Sequence, residues 1–161
     1  MRKPELVATT LSDGLVRMCT TSAVVVWAAH CTERVLPYFE RAYPEDRRLR
    51  QALETVFTRI RASLPSDRLK AKTEARRAAL AAFAAARVAR PNAPACSAAL
   101  AAAHTAATYR NSTTHAIYAA WYALTAIRDA SDRGDADAAV RRERIWQHDH
   151  LLALTDDHPY R

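Results

Sequence analysis

Between Ala101 and Tyr122 the chain reads AAAHTAATYRNSTTHAIYAAWY, an alanine-rich run interrupted by polar side chains at regular intervals. His104, Thr108, Asn111, His115, Tyr118 and Tyr122 follow steps of 4, 3, 4, 3 and 4. On one continuous helix that spacing keeps all six near a single face of a 3.6-residue period, as a buried hydrogen-bond ladder or as a ligand site. The side chains of Asn111, Ser112, Thr113 and Thr114 compete for backbone hydrogen bonds, so a long helix over about Ala95 to Ala130 either continues through them or breaks there. A break is expected to scatter the stripe. On an unbroken helix His104 and His115 would stand about 16 Å apart along the axis, too far for one metal ion, and their partners would come from other helices, with His30, Glu33 and Glu74 as candidates.

Elsewhere the pattern is also helical. Ser12 with Asp13 reads as a cap, followed by an apolar stretch through Val24, Val25, Val26 and Trp27 toward Pro44, with a kink or restart at Pro37. Leu49, Leu53, Val56 and Ile60 give the apolar side of a helix over Arg47 to Ala62, closed by Leu64 and Pro65. Ser66 and Asp67 then cap an element with a small core face, on which Leu69, Leu80, Phe83 and Val88 are the only large apolar side chains, so neighbouring helices should approach closely over its alanines. Pro91, Asn92 and Pro94 mark a turn. After DASDRGDAD, a last helix offers Val140, Ile145, Trp146 and Leu152 for docking. The expected fold is all-α: one helical bundle or stack of five to seven helices over residues 1–161, less ordered at 1–10 and 155–161.

Composition supports this. The chain has 36 alanines and only two glycines among 161 residues, and strand-favouring runs are confined to Val24–Val26. Its formal charge of +7 comes from 24 basic against 17 acidic residues. The bases are dispersed among acids, with no stripe of stacking aromatics, which argues against nucleic acid as partner. Cys19, Cys31 and Cys96 form no CxxC, and Cys31 has no histidine on its own helical face to activate it. His148 and His150 diverge on a helix, so no metal or cofactor is expected. The N-terminal segment lacks the apolar core of an export signal, and no stretch reaches membrane-spanning length; a cytosolic protein without a membrane partner is expected.

The segment WAAHCTERVLPYFERAYPEDRRLRQALE resembles the opening of an immunity-5-like family associated with bacterial polymorphic toxin systems, through Trp27, Cys31, Glu33, Arg34, Val35, Leu36, Pro37, Phe39, Glu40, Pro44 and Asp46. The alanine tract Arg76 to Arg87 and the positions His104, Thr108, His115 and Tyr122 extend the likeness. The resemblance implies a helical fold and neutralisation of a toxin. His30 and Arg110 stand where its pattern leads one to expect an aspartate and a histidine, a departure that fits a binding protein better than a shared metal or catalytic role.

Two functions follow. The first is a cytosolic binding protein, an immunity protein that occludes a cognate toxin; Tyr38, Tyr43, Arg47, Arg48 and Arg50 at the Pro-acidic corner are its expected contacts, because Tyr and Arg are favoured anchors. The alternative is a small helical enzyme of a biosynthetic pathway acting on a small polar or aromatic substrate. Its ligand site would be His104, Thr108, Asn111, His115, Tyr118 and Tyr122, with His104, His115, Tyr118 and Tyr122 as catalytic groups. A small-molecule ligand and a homodimer are further expected partners.

Overall fold

The most alanine-rich segment becomes the axis of the molecule. The computed structural model describes residues 9–62 and 64–156, and these form seven helices in one all-α bundle: α1 (Thr9–Met18), α2 (Thr21–Ala42), α3 (Arg48–Arg61), α4 (Pro65–Val88), α5 (Ala93–Ala107), α6 (Ser112–Ala130) and α7 (Ala136–Asp156). The expectation of lower order at 1–10 and 155–161 falls largely outside the described residues. Ten of the fifteen residues of α5 are buried, and α2, α3, α4 and α6 all pack against it. Alanine makes this feasible. Its single methyl loses no rotamer freedom and lets several backbones approach one helix at once.

The same economy explains a correction on α4. Leu69, Leu80 and Val88, expected in the core, are 69%, 60% and 58% exposed. The buried face is Ala71, Ala75, Ala79, Ala82, Ala85 and Ala86. A leucine on that face would hold α4 away from α5. Large side chains are instead concentrated around α2 and α3, where Trp27, Leu36, Phe39, Leu49 and Val56 are buried, joined by Leu151 of α7. Within this core Thr105 Oγ1 donates to the Ala28 carbonyl at 3.2 Å, so the 2.8 Å contact between Thr32 and Thr105 has Thr32 as donor. Cys31, next to Thr32 in sequence, is fully buried, and all three cysteines are free thiols.

The structure departs from the sequence expectation at three further places. The first apolar stretch is two helices, because Thr20 caps α2 by accepting from the Ala23 N–H at 3.3 Å; Ser12 lies inside α1. α2 then runs through Pro37 to Ala42. Both Pro37 and Glu33, whose carbonyl loses a donor, are on the exposed side, where water can substitute. Pro65 opens α4 instead of closing α3, since its fixed φ and missing N–H suit a first turn; Ser66 and Asp67 follow inside the helix. The third is the docking face of α7: of the expected residues Val140 and Trp146 do face inward, but Ile145 is 58% exposed and Leu152 38%, and Glu143, Trp146, Gln147, His150 and Leu151 continue the inward face as an i, i+3, i+4, i+7, i+8 set.

The long helix breaks. Asn111 caps α6, its Oδ1 accepting from the Thr114 N–H at 3.0 Å, and α6 folds back along α5.

Candidate functional site

That reversal brings His104 and His115 into contact. Their Nδ1 atoms lie 3.0 Å apart, one donating and the other accepting. The expectation that a break would scatter the stripe holds for Thr108 and Asn111 and is corrected for the histidines: the turn puts two residues that a straight helix separates side by side. Tyr122 stacks on His104 with centroids 5.4 Å apart and planes 12° from parallel, Tyr118 lies at 5.0 Å, and Phe83 of α4 meets it edge-on at 5.3 Å. Thr108 and Asn111 are elsewhere. Thr108 Oγ1 donates to the Thr105 carbonyl at 2.7 Å and accepts from Arg59 Nη2 at 2.9 Å, while exposed Asn111 serves as the cap. Arg59 thus sits at the C-terminus of α5, where a cation meets the negative end of the helix dipole.

Burial dominates the electrostatics of the cluster. It pushes the His104 imidazole down to about 4, with His115 adding to the effect. His115 is lowered by burial and then by Arg110, and the Tyr122 hydroxyl is raised by burial, Tyr118 and Cys96. At neutral pH these groups are uncharged. They can hydrogen-bond and stack, but an imidazole that holds its proton only near pH 4 is a weak base.

A second histidine pair lies between α2 and α7. His30 Nδ1 and His150 Nε2 are 2.7 Å apart. Trp146 stacks on His150 at 4.8 Å and 15°, and the Arg34 guanidinium covers Trp146 at 4.0 Å. Arg34 Nε contacts both carboxylate oxygens of Glu143, at 3.0 and 2.9 Å, and Nη2 adds a 2.9 Å ion pair. Burial, then His30 and Arg34, lower the His150 pKa. His30 therefore belongs to this pair and not to His104 and His115; exposed Glu33 has Arg34 beside it as the residue that reaches α7. The one signal available in sequence was the α7 spacing Glu143, Trp146, Gln147, His150, which repeats a helical face with polar members. His148, the other half of the HxH, contacts the neighbouring Asp149 at 3.3 Å.

No group of three or more His, Cys, Asp or Glu side chains gathers in a metal-holding arrangement among the described residues. Cys31 is buried and its thiol is pushed well up, by burial first and by the Glu143 charge second, the opposite of an activated nucleophile.

At the corner before α3, Arg48 chelates Asp46 with Nε at 2.9 and 3.0 Å from the two carboxylate oxygens. Arg50 pairs with Glu40 at 2.7 Å. Tyr43 packs against Phe39 with ring centroids 5.0 Å apart and planes tilted by 32°, and Arg41 lies 5.5 Å over Tyr38. Arg47 is exposed at the N-cap of α3 and makes no ion pair among the described residues. No helix among the described residues is long and apolar enough to cross a membrane.

The sequence pattern of one family, described as Imm-5 like putative immunity protein, matches residues 15–154, and the chain belongs to that family. No curated protein and no solved structure matches it.

Proposed function

We propose that this member of the Imm-5 like family is an immunity protein that binds a cognate toxin in the cytosol and occludes its working surface. The family match over residues 15–154 carries the reading. Occlusion requires a rigid, well-buried scaffold and a few exposed anchors, not a reactive group. The histidine pairs fit the scaffold role, since each imidazole already spends one ring nitrogen on its partner and both pairs join helices across a seam. The enzyme alternative would need a base competent near neutrality, and the low pKa of His104 speaks against it. Of the expected corner contacts, Arg48 and Arg50 are neutralised locally, so attraction there would fall on Arg47 with Tyr38 and Tyr43 as packing partners.

The test is protection. A toxin domain encoded beside this gene is expressed in a sensitive host with and without the protein, and the purified pair is examined for stable co-elution. Survival together with a stoichiometric complex is expected. Killing by the toxin despite abundant folded protein would sink the proposal.

A further inference from the structure

Helix α4 distributes its charges unevenly. Both of its acids, Asp67 and Glu74, line a recess toward α3 together with Arg61 and Lys70. On the other flank, Lys72 and Arg76 face Tyr109 and Arg110 of the α5–α6 turn across an open cleft of about 710 Å³, completed by Leu69 and Thr73. No carboxylate lines that cleft. Lys72, Arg76 and Arg110 are all exposed and make no ion pair among the described residues. Arg68, Lys72 and Arg76 also recur at i, i+4 and i+8, a row of like charges that opposes helix formation. Alongside it stand Leu69 and Leu80, 69% and 60% exposed, although the buried face of α4 is made of alanine and gains nothing from them. Uncompensated cations flanked by solvent-facing leucines and a tyrosine have the makeup of an interface before its partner arrives.

We infer that this cleft and its flanking leucines are the surface on which the toxin docks, and that the toxin meets it with an acidic patch bearing apolar side chains. The inference rests on the immunity reading and adds the face and the partner's chemistry. Charge complementarity supports it: the carboxylates that would balance Lys72, Arg76 and Arg110 are missing from this side, and the chain as a whole is +7. An acidic protein surface is favoured over nucleic acid because the cleft offers one tyrosine for stacking and leucines that a nucleic-acid backbone would leave uncovered.

The experiment measures affinity and protection for the adjacent toxin domain with three variants. The first is the triple reversal Lys72→Glu, Arg76→Glu, Arg110→Glu. The second is the neutral triple Lys72→Gln, Arg76→Gln, Arg110→Gln, which retains folding if the reversal does not. The third is a matched reversal at exposed sites elsewhere, Arg133→Glu, Arg141→Glu, Arg142→Glu. Circular dichroism verifies folding. The cleft reversal should weaken binding about 100-fold and abolish protection, and the neutral triple should lose about 10-fold with a reduced salt dependence, whereas the matched reversal should stay within about 3-fold. Leu69→Ser and Leu80→Ser should each weaken binding with unchanged melting temperature. Equal losses in the cleft and matched variants, or unweakened binding by the folded neutral triple, would overturn the docking face and leave the immunity reading standing. Failure of the wild type to bind or protect would overturn both. Binding of a duplex DNA oligonucleotide near 0.15 M salt, lost in the same cleft variants, would overturn the acidic-protein occupant.

Discussion

Two seams hold the bundle together by different means. Between α5 and α6 the contact is made of alanines, with His104 and His115 at one end, close in sequence and joined by a capped turn. Between α2 and α7 it is made by long side chains reaching across most of the chain. Trp27 Nε1 donates to the Gln147 carbonyl at 2.7 Å, the Gln147 amide donates onward to the Ala120 carbonyl at 3.2 Å, and the Arg34–Glu143 and His30–His150 pairs lie on the same seam. The alanine seam is determined by what is missing from each position and tolerates no added volume. The other seam depends on specific groups whose loss leaves a partner unsatisfied. Similar histidine pairs thus sit in dissimilar settings: one among uncharged rings, the other beside a charged pair.

The largest expected effect strikes the second seam. Trp27→Ala should cost about 3–5 kcal/mol, because it leaves a large cavity and removes the Trp27 hydrogen bond to α7. Chemical denaturation would measure it, and a loss below about 1 kcal/mol would mean that α7 is held otherwise. Next comes addition instead of removal. Ala102→Leu, at a fully enclosed position of α5, should cost toward the upper end of about 1–3 kcal/mol, whereas leucine for an exposed residue of α4, such as Lys70, should be nearly neutral. If both are tolerated alike, the close packing of α5 does not govern stability. Arg34→Ala should cost about 1–2 kcal/mol. The carboxylate of Glu143, 3% exposed, then loses its partner, but Arg34 is 43% exposed and water can reach the gap.

The smallest effect is in pH. The folded-state pKa of His104 is about 4, below the ordinary value of 6.5, so the unfolded chain takes up its proton first as the solution is acidified. The contribution is therefore complete above about pH 6.5 and is lost progressively as pH falls from there toward 4. His115 and His150 shift in the same direction. Melting temperatures between pH 7.5 and 4.5 should fall, and His104→Gln should flatten the profile more than His150→Gln. The reverse order would place the stronger burial penalty on the α2–α7 seam.

Much of the helical pattern was legible because alanine richness, scarce glycine and capping residues act locally. Arg48–Arg61 lies within the span that Leu49, Leu53, Val56 and Ile60 suggest. The orientation of α4 was not legible. Hydrophobicity alone assigns Leu69 and Leu80 to the core, and only the closeness of α5 makes alanine the better core residue. At the candidate cluster, the 4-3-4 spacing identified His104, His115, Tyr118 and Tyr122, which do lie together, yet for a reason the helical period does not contain: a turn at Asn111 doubles the chain back. The His30–His150 pair joins positions 120 residues apart, and no local pattern encodes a partner at that distance.

The buried thiol of Cys31 gives the molecule an internal clock. It has no exposed surface, and burial keeps it protonated, so an alkylating reagent can reach it only when α2 separates from its neighbours. Half-buried Cys19 and Cys96 need smaller openings. The labelling rate of Cys31 then reports how often α2 opens, and a bound partner that recognises only the closed bundle slows that rate in proportion to its occupancy. A single native residue can in this way register the capture of a partner without a dye, a tag or any activity to follow.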